Sequence, residues 1–229
     1  MFKGIVTDVF FDLDHTLWDF EKNSALTFKK ILAEANITVK LADFLEVYKP
    51  INLELWKLYR ENRISQADLR YKRLKQTFDV LGHTMDSEQI NALAGQYIVH
   101  LSTFPNLLPN THEILRYLKP NYKLHIITNG FQEIQYKKLQ NSQIDIYFDR
   151  IIHSETVGVK KPHPKIFEIA LEKSKVLPKN AIMIGDSLEA DILGAKAVGL
   201  HTLHFNVHGD PKHDFSAIIF DLIEIKNYL

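Results

Sequence analysis

Asp12 and Asp14 stand two residues apart, directly after an apolar, β-rich stretch from Ile5 to Phe11. Residues i and i+2 of a strand share a face. Two carboxylates leaving a strand end together therefore repel each other unless a metal ion or a shared proton intervenes. Hard oxygen ligands of this kind suit Mg²⁺, which keeps several waters and partners with substrate phosphates. On its own such a pair reads better as a surface turn with two solvated aspartates, so its meaning depends on the rest of the chain.

A second short apolar run, Ile182-Met183-Ile184-Gly185, also ends in a carboxylate, Asp186. Asp191 follows five residues later, where a helical pattern of Ile192, Ala195 and Val198 begins. Two more apolar runs carry polar tips. Leu124 to Ile127 closes on Thr128-Asn129-Gly130, and Ile151-Ile152 leads through a loop to Lys161-Pro162. In open parallel α/β sheets, ligands bind at the carboxyl ends of strands near the point where strand order reverses. That rule gathers Asp12, Asp14, Thr128, Lys161 and Asp186 around one crevice.

The elements that must position these residues are legible at coarse grain. From about Phe20 to Leu101 the pattern is helical, with Ala25, Phe28, Ile31, Leu32 and Ala35 at helical spacing, as are Ile90, Leu93, Ala94, Tyr97, Ile98 and Leu101. No strand signal interrupts it. From Asn110 onward the signals alternate: helix at Thr111 to Leu118, strand at Leu124, helix at Phe131, strand at Ile151, helix at Pro164, strand at Ala181, helix at Leu188 and strand at His201. Such alternation predicts a parallel sheet with crossover helices. Ser216 to Leu229 is expected to add a short strand and a closing helix.

Taken in order, Asp12-Leu13-Asp14-His15-Thr16, Thr128-Asn129-Gly130, Lys161-Pro162 and Gly185-Asp186 through Asp191 resemble the four motifs of the haloacid dehalogenase superfamily. Each motif alone is weak, but the ordered set, each after an apolar strand, is specific. The resemblance implies an α/β fold, a doubly wound Rossmann-like parallel sheet core over residues 1–18 and 103–229, with a helical cap domain over residues 19–102 inserted after the first strand. Trp18-Asp19 and Phe104 to Pro109 are its natural hinges.

The resemblance also implies roles. Asp12 is the nucleophile, forming an aspartyl-phosphate and splitting one difficult displacement into two steps. Asp14 is the general acid toward the leaving alcohol and then the general base for the hydrolytic water. Mg²⁺ is held by Asp12 through a side-chain oxygen, Asp14 through its backbone carbonyl and Asp186 through its carboxylate. Thr128, Asn129 and Lys161 bind the phosphate, and phosphoryl transfer asks mainly for such positioning and positive charge. Asp191 either orients Lys161 or supports the metal's waters, or serves only as an acid at a helix N-terminus. Lys160, not directly before the proline, reads as solvated.

True haloacid dehalogenases lack the second aspartate, because a leaving halide needs no proton. Its presence here favours phosphate chemistry. His15 departs from the glycine or acidic residue often found at its place, and reads as a packed, hydrogen-bonded bystander. The patterns Phe11 to Phe20, Ile127 to Phe131 and Ser154 to Pro162 further resemble the bacterial pyrimidine nucleotidase branch, which acts on nucleoside monophosphates. The alternatives are a sugar-phosphate phosphatase or phosphoglucomutase-like enzyme, and a non-catalytic protein that binds a phosphorylated ligand or a partner. Since neither Asp12 nor Asp14 is lost, the non-catalytic reading is disfavoured.

Composition fits a core of this kind. The chain has 229 residues, 45% of them hydrophobic, with 28 basic and 28 acidic residues for a net charge of +0. No polybasic stripe points to a nucleic-acid polymer, and no apolar run has membrane-spanning length. The expected partner is a small phosphorylated metabolite, and the oligomeric state is open. Zero cysteines exclude disulfides and thiol catalysis. A cleaved signal would have to overlap Met1 to Phe20, where Asp12 lies, so a cytoplasmic protein is expected. His201, His204 and His208 fall close together, but His201 and His204 would point to opposite faces of a strand, against a zinc cluster. Trp56 and Tyr59 could stack a base, although packing between helices is the commoner fate of such residues.

Overall fold

A strand buried on both faces reads as a continuous apolar run rather than an alternating one, and Val9, Phe10 and Phe11 are each fully buried. They belong to β1 (Asp8–Phe11) at the centre of the sheet. The computed structural model describes residues 1–229 and divides them into two units, Met1–Phe20 with Pro105–Leu229, and Glu21–Phe104. In the first unit β1 is joined by β2 (Lys123–Thr128), β3 (Phe148–His153), β4 (Ala181–Gly185), β5 (His201–Phe205) and β6 (Ala217–Ile219). Their order is β3-β2-β1-β4-β5-β6 and every pairing is parallel. From β1 the chain builds outward to β2 and β3 on one side, then returns to β4 and builds outward on the other. The strand order therefore reverses between β1 and β4. This is the doubly wound Rossmann-like sheet that the alternating pattern and the resemblance led one to expect.

The second unit is helical: α1 (Phe20–Glu34, whose first residue belongs to the sheet unit), α2 (Leu41–Arg60), α3 (Gln66–Val80) and α4 (Ser87–Leu101). The ends of α3 and α4 are written in the sequence as capping boxes, Ser65 with Asp68 and Asp86 with Gln89. An aromatic cluster forms the core, with the Phe28 ring 4.7 Å from Phe44, 4.6 Å from Tyr48 and 4.6 Å from Tyr97. Arg73 is buried among these rings, its guanidinium 4.6 Å from the Tyr97 centroid and its Nη1 donating to Asn52 Oδ1 at 3.3 Å. Tyr59 is buried and Trp56 packs edge-on against it at 5.6 Å. No helix is long and apolar enough to cross a membrane.

Connections in the sheet unit are α5 (Thr111–Leu118), α6 (Gln132–Asn141), the short α7 (Ser154–Val157), α8 (Pro164–Ser174) and α9 (Gly194–Ala197). Phe10, Ile127, Met183, Ile166, Phe167 and Ala195 form one buried cluster that joins strands to helices. Two details differ from the sequence reading. The helix expected from Leu188 begins as a π-helical turn, Leu188–Leu193, because the Asp191 side chain turns back to accept from Ser187 N at 3.0 Å. Wide turns of this kind recur at functional sites. The chain end forms β6 and a 3-10 turn, Leu222–Asn227, rather than an α-helix.

Candidate active site

Asp12 continues the line of β1, its N–H donating to Ile184 O of β4 at 2.9 Å. The chain then turns tightly, with Leu17 N and Trp18 N both donating to Leu13 O at 2.9 Å. His15 sits inside this turn at φ 64, the left-handed region that glycine enters most easily. Its ring lies 4.9 Å from Phe20 and 5.0 Å from His208. Asp186 follows β4 and Thr128 ends β2, so these residues meet at the carboxyl edge where the strand order reverses.

Lys161 is the hub. It is 2% exposed, and its Nζ contacts Asp12 Oδ1, Asp191 Oδ1 at 2.6 Å and Ile127 O at 2.8 Å. Of the three protons of an ammonium, Asp12 Oδ1 and Ile127 O accept two, while Asp191 Oδ1 pairs with the charge. Burial works against this charge, but Asp12 and Asp191 more than compensate and hold the Lys161 pKa above that of an ordinary lysine. Burial likewise pushes the Asp12 carboxyl well above the usual aspartate range, against Lys161, with Asp191 and Asp186 adding to the rise. Asp191 is raised by burial as well. Asp191 pairs with Lys161 through Oδ1 at 2.6 Å and accepts from Ser187 N through Oδ2 at 3.0 Å.

Asp186 behaves differently. Burial would raise it, yet the His208 hydrogen bond, followed by the charges of His15, His208 and Lys161, brings it below the usual value. Thr16 Oγ1 donates to Asp186 Oδ1 at 3.1 Å, His208 Nε2 lies 2.9 Å from Oδ2, and His204 Nε2 lies 2.9 Å from the Asp186 backbone oxygen. The three neighbouring histidines thus have separate tasks, since His201 meets Lys179 O instead.

Ligand oxygens of Asp12, Asp186 and Asp191 all lie within 4.8 Å of one another. These hard donors outnumber the single lysine among them, and the charges of Asp191 and Asp186 add to the rise that burial causes on Asp12. A small divalent cation fits this donor set. Gly185 permits the crowding, because a Cβ there would run into the Asp191 side chain.

Thr128 Oγ1 accepts from Gly130 N at 3.0 Å and from Gln135 Nε2 at 2.6 Å. Both acceptor positions of the hydroxyl are filled, which leaves its proton to donate. Asn129 is committed otherwise: its side chain donates to Lys161 O at 2.9 Å and accepts from Lys161 N at 2.8 Å, clamping the lysine loop to the end of β2. Asp14 does not share partners with Asp12. Gln135 Nε2 donates to its Oδ2 at 3.0 Å and Lys138 Nζ to its Oδ1 at 2.6 Å. Sequence reasoning missed Gln135, Lys138, Thr16 and His208. A signal existed for the first two, which share the buried face of α6 with Ile134 and Leu139 and so stand as polar residues on an apolar stripe.

The family model described as haloacid dehalogenase-like hydrolase matches residues 9–205. Among characterised relatives, the pyrimidine 5'-nucleotidase YjjG of Escherichia coli (strain K12) is 32% identical over 205 residues, covering 87% of this chain and 86% of its own. The glyceraldehyde 3-phosphate phosphatase of Pyrococcus furiosus is 35% identical over 200 residues, covering 86% of this chain and 79% of its own. Among solved structures, the HAD-hydrolase YfnB from Bacillus subtilis, bound to magnesium, superposes with a TM-score of 0.89 at 28% identity and covers 98% of each chain. The motif loops at one edge of a doubly wound sheet and a match across most of the sequence lead to one conclusion: this chain belongs to the haloacid dehalogenase-like hydrolases.

Proposed function

We propose that the protein is a phosphomonoesterase of small metabolites, that pyrimidine nucleoside monophosphates are its substrate class, and that the phosphoryl group is carried on Asp12. The observation that carries this reading is the contact of buried Lys161 with Asp12 and Asp191, with Asp186 alongside. Its cation stands where an attacking carboxylate must be kept ionised beside other anions.

In the first step an Asp12 oxygen attacks phosphorus. The bond to the leaving oxygen breaks, and Asp14 supplies the proton that converts the alkoxide to an alcohol. In the second step water gives a proton to Asp14 and attacks phosphorus, and the bond to Asp12 breaks to release phosphate. The free proton of Thr128 is available for a phosphate oxygen. Hydrogen-bonded to Asp12 and Ile127 O and ion-paired with Asp191, Lys161 acts chiefly on Asp12 and contributes its charge to the phosphate. Mg²⁺, held by the Asp12 and Asp186 carboxylates and the Asp14 backbone carbonyl, would supply positive charge to the transferring group. The magnesium-bound state of the YfnB relative supports that assignment.

We assign the helical insertion, Glu21–Phe104, as the cap domain that selects substrates. The nucleotidase reading is supported by YjjG and by the pyrimidine 5'-nucleotidase PynA of Streptococcus pneumoniae, 29% identical over 221 residues. A second reading, a sugar-phosphate phosphatase, is favoured by the glyceraldehyde 3-phosphate phosphatases at up to 35% identity. Either substrate class suits a cytoplasmic setting. The test is phosphate release with Mg²⁺ and with chelator, across nucleoside monophosphates and sugar phosphates, with Asp12→Asn as control. Selective release from pyrimidine monophosphates is expected. Preference for triose or other sugar phosphates would move the protein to the second reading, and no release from any ester by the folded protein would overturn both.

A further inference from the structure

Gln135 and Lys138 stand three residues apart on α6, so their side chains leave the same face. That face is buried: Gln135 is 0% exposed and Lys138 1%. Taking a lysine out of water costs several kcal/mol unless a counter-charge and good geometry offset it. Lys138 has both, with Asp14 Oδ1 at 2.6 Å, the Trp18 ring centroid at 4.3 Å and the Phe20 centroid at 5.6 Å. The ammonium has a use at Asp14, where Lys138 takes one carboxylate oxygen and Gln135 Nε2 takes the other at 3.0 Å. The same Nε2 reaches Thr128 Oγ1 at 2.6 Å. Gly130 leaves room for this bridge, because a Cβ there would strike the Gln135 amide.

We propose that Lys138 and Gln135 are positioning residues: together they set the Asp14 carboxyl toward the leaving oxygen, and Gln135 ties that setting to the hydroxyl of Thr128. The proposal rests on the phosphomonoesterase reading. It places the cost of losing Lys138 on one bond, the one between phosphorus and a poor leaving group. An alkoxide needs a proton as it departs, whereas p-nitrophenolate does not. The ratio kcat/KM reports the steps up to phosphorylation of Asp12, and so isolates the part played by the acid.

The experiment compares kcat/KM for uridine monophosphate and for p-nitrophenyl phosphate in the wild type, Lys138→Met, Lys138→Arg and Gln135→Leu. For Lys138→Met, kcat/KM for the nucleotide is expected to fall by about 100-fold while that for the aryl ester stays within about threefold; Gln135→Leu, which also takes a donor from Thr128 Oγ1, should lose on both esters and more on the nucleotide. Lys138→Arg, which keeps the charge, should recover part of the loss. Inhibition by inorganic phosphate should be unchanged in Lys138→Met. Equal losses on both esters would mean a structural role only, and no loss on either would mean none; each result overturns the proposal. If Lys138→Met does not fold, Gln135→Leu carries the same comparison. Should the folded wild type release phosphate from neither of these esters nor from any sugar phosphate, the phosphomonoesterase reading falls and takes this one with it. Turnover that is lost in Asp12→Asn but indifferent to Lys138 and Gln135 removes this proposal alone.

Discussion

The Lys138 ammonium lies 2.6 Å from Asp14 Oδ1, in a place where almost no water reaches it. Lys161 stands in the same relation to Asp12. Two carboxylates two residues apart in sequence are thereby separated electrically, each facing its own buried cation. A nucleophile and a proton carrier need different surroundings to do different work, and two lysines from two elements give them that.

Asp12→Asn should leave the fold intact and lower phosphate release by about three orders of magnitude or more, because the amide cannot attack phosphorus. Circular dichroism and a phosphate-release assay on the same sample check both halves. Substantial Mg²⁺-dependent turnover by the variant would end the assignment of Asp12.

Lys161→Met would leave Asp12 and Asp191 buried beside Asp186 with their shared cation gone. Breaking a buried pair from one side costs about 3–5 kcal/mol, and urea unfolding should register a loss of that order along with lost turnover. A variant as stable as the wild type would show that the lysine is not the main counter-charge.

The acidic cluster should respond to a divalent ion in stability as well as activity. A ligand at about 100 times its Kd adds about 2.7 kcal/mol to a folded protein that alone binds it. Mg²⁺ at saturating concentration is therefore expected to raise Tm, and Asp186→Asn to weaken the increase. An identical rise in the variant would place the ion elsewhere.

Gly130→Ala and Gly185→Ala test steric room without removing any polar group. Their new methyls would meet the Gln135 amide and the Asp191 carboxylate. Overpacking typically costs about 1–3 kcal/mol, and both variants should lose stability in that range and most of their activity. Gly95, whose Cβ would meet nothing within 4 Å, serves as the control, with Gly95→Ala expected to be no less stable than the wild type.

Alkaline stability should be set partly by the helical unit. Burial raises the Tyr48 phenol and raises Tyr97 further, both above the ordinary value of 10.0. A raised folded-state pKa means that the unfolded chain loses these protons first as pH climbs. The stabilisation is complete below pH 10 and is lost as pH rises from there through the folded-state values. Urea midpoints measured from pH 8 to 11.5 should fall steeply at the top of the range, and less steeply in Tyr97→Phe. A variant with the same slope would exclude Tyr97 as the source.

Local signals carried much of this protein. Apolar runs ending in polar residues marked β1, β2 and β4, and the alternation after Asn110 implied parallel strands, because only crossover connections accommodate it. The capping boxes at Ser65 and Asp86 lie wholly within short stretches of chain. Asp12, Thr128, Lys161, Asp186 and Asp191 were legible for the same reason: each follows its strand at a fixed offset, and parallel pairing brings those ends to one edge. Other features needed the folded chain. Whether Asn129 binds a ligand or clamps Lys161 depends on a loop 32 residues away. That Lys138 belongs to Asp14, 124 residues distant, follows from how α6 packs on the turn after β1, and a helical lysine otherwise reads as solvated. His208 likewise meets Asp186 only because the loop after β5 folds back. Periodicity and motif order are properties of neighbours along the chain, so the sequence alone determined the sheet and the residues at its edge. Pairing of charges across long separations is a property of packing, so tertiary structure alone decided which cation serves which carboxylate.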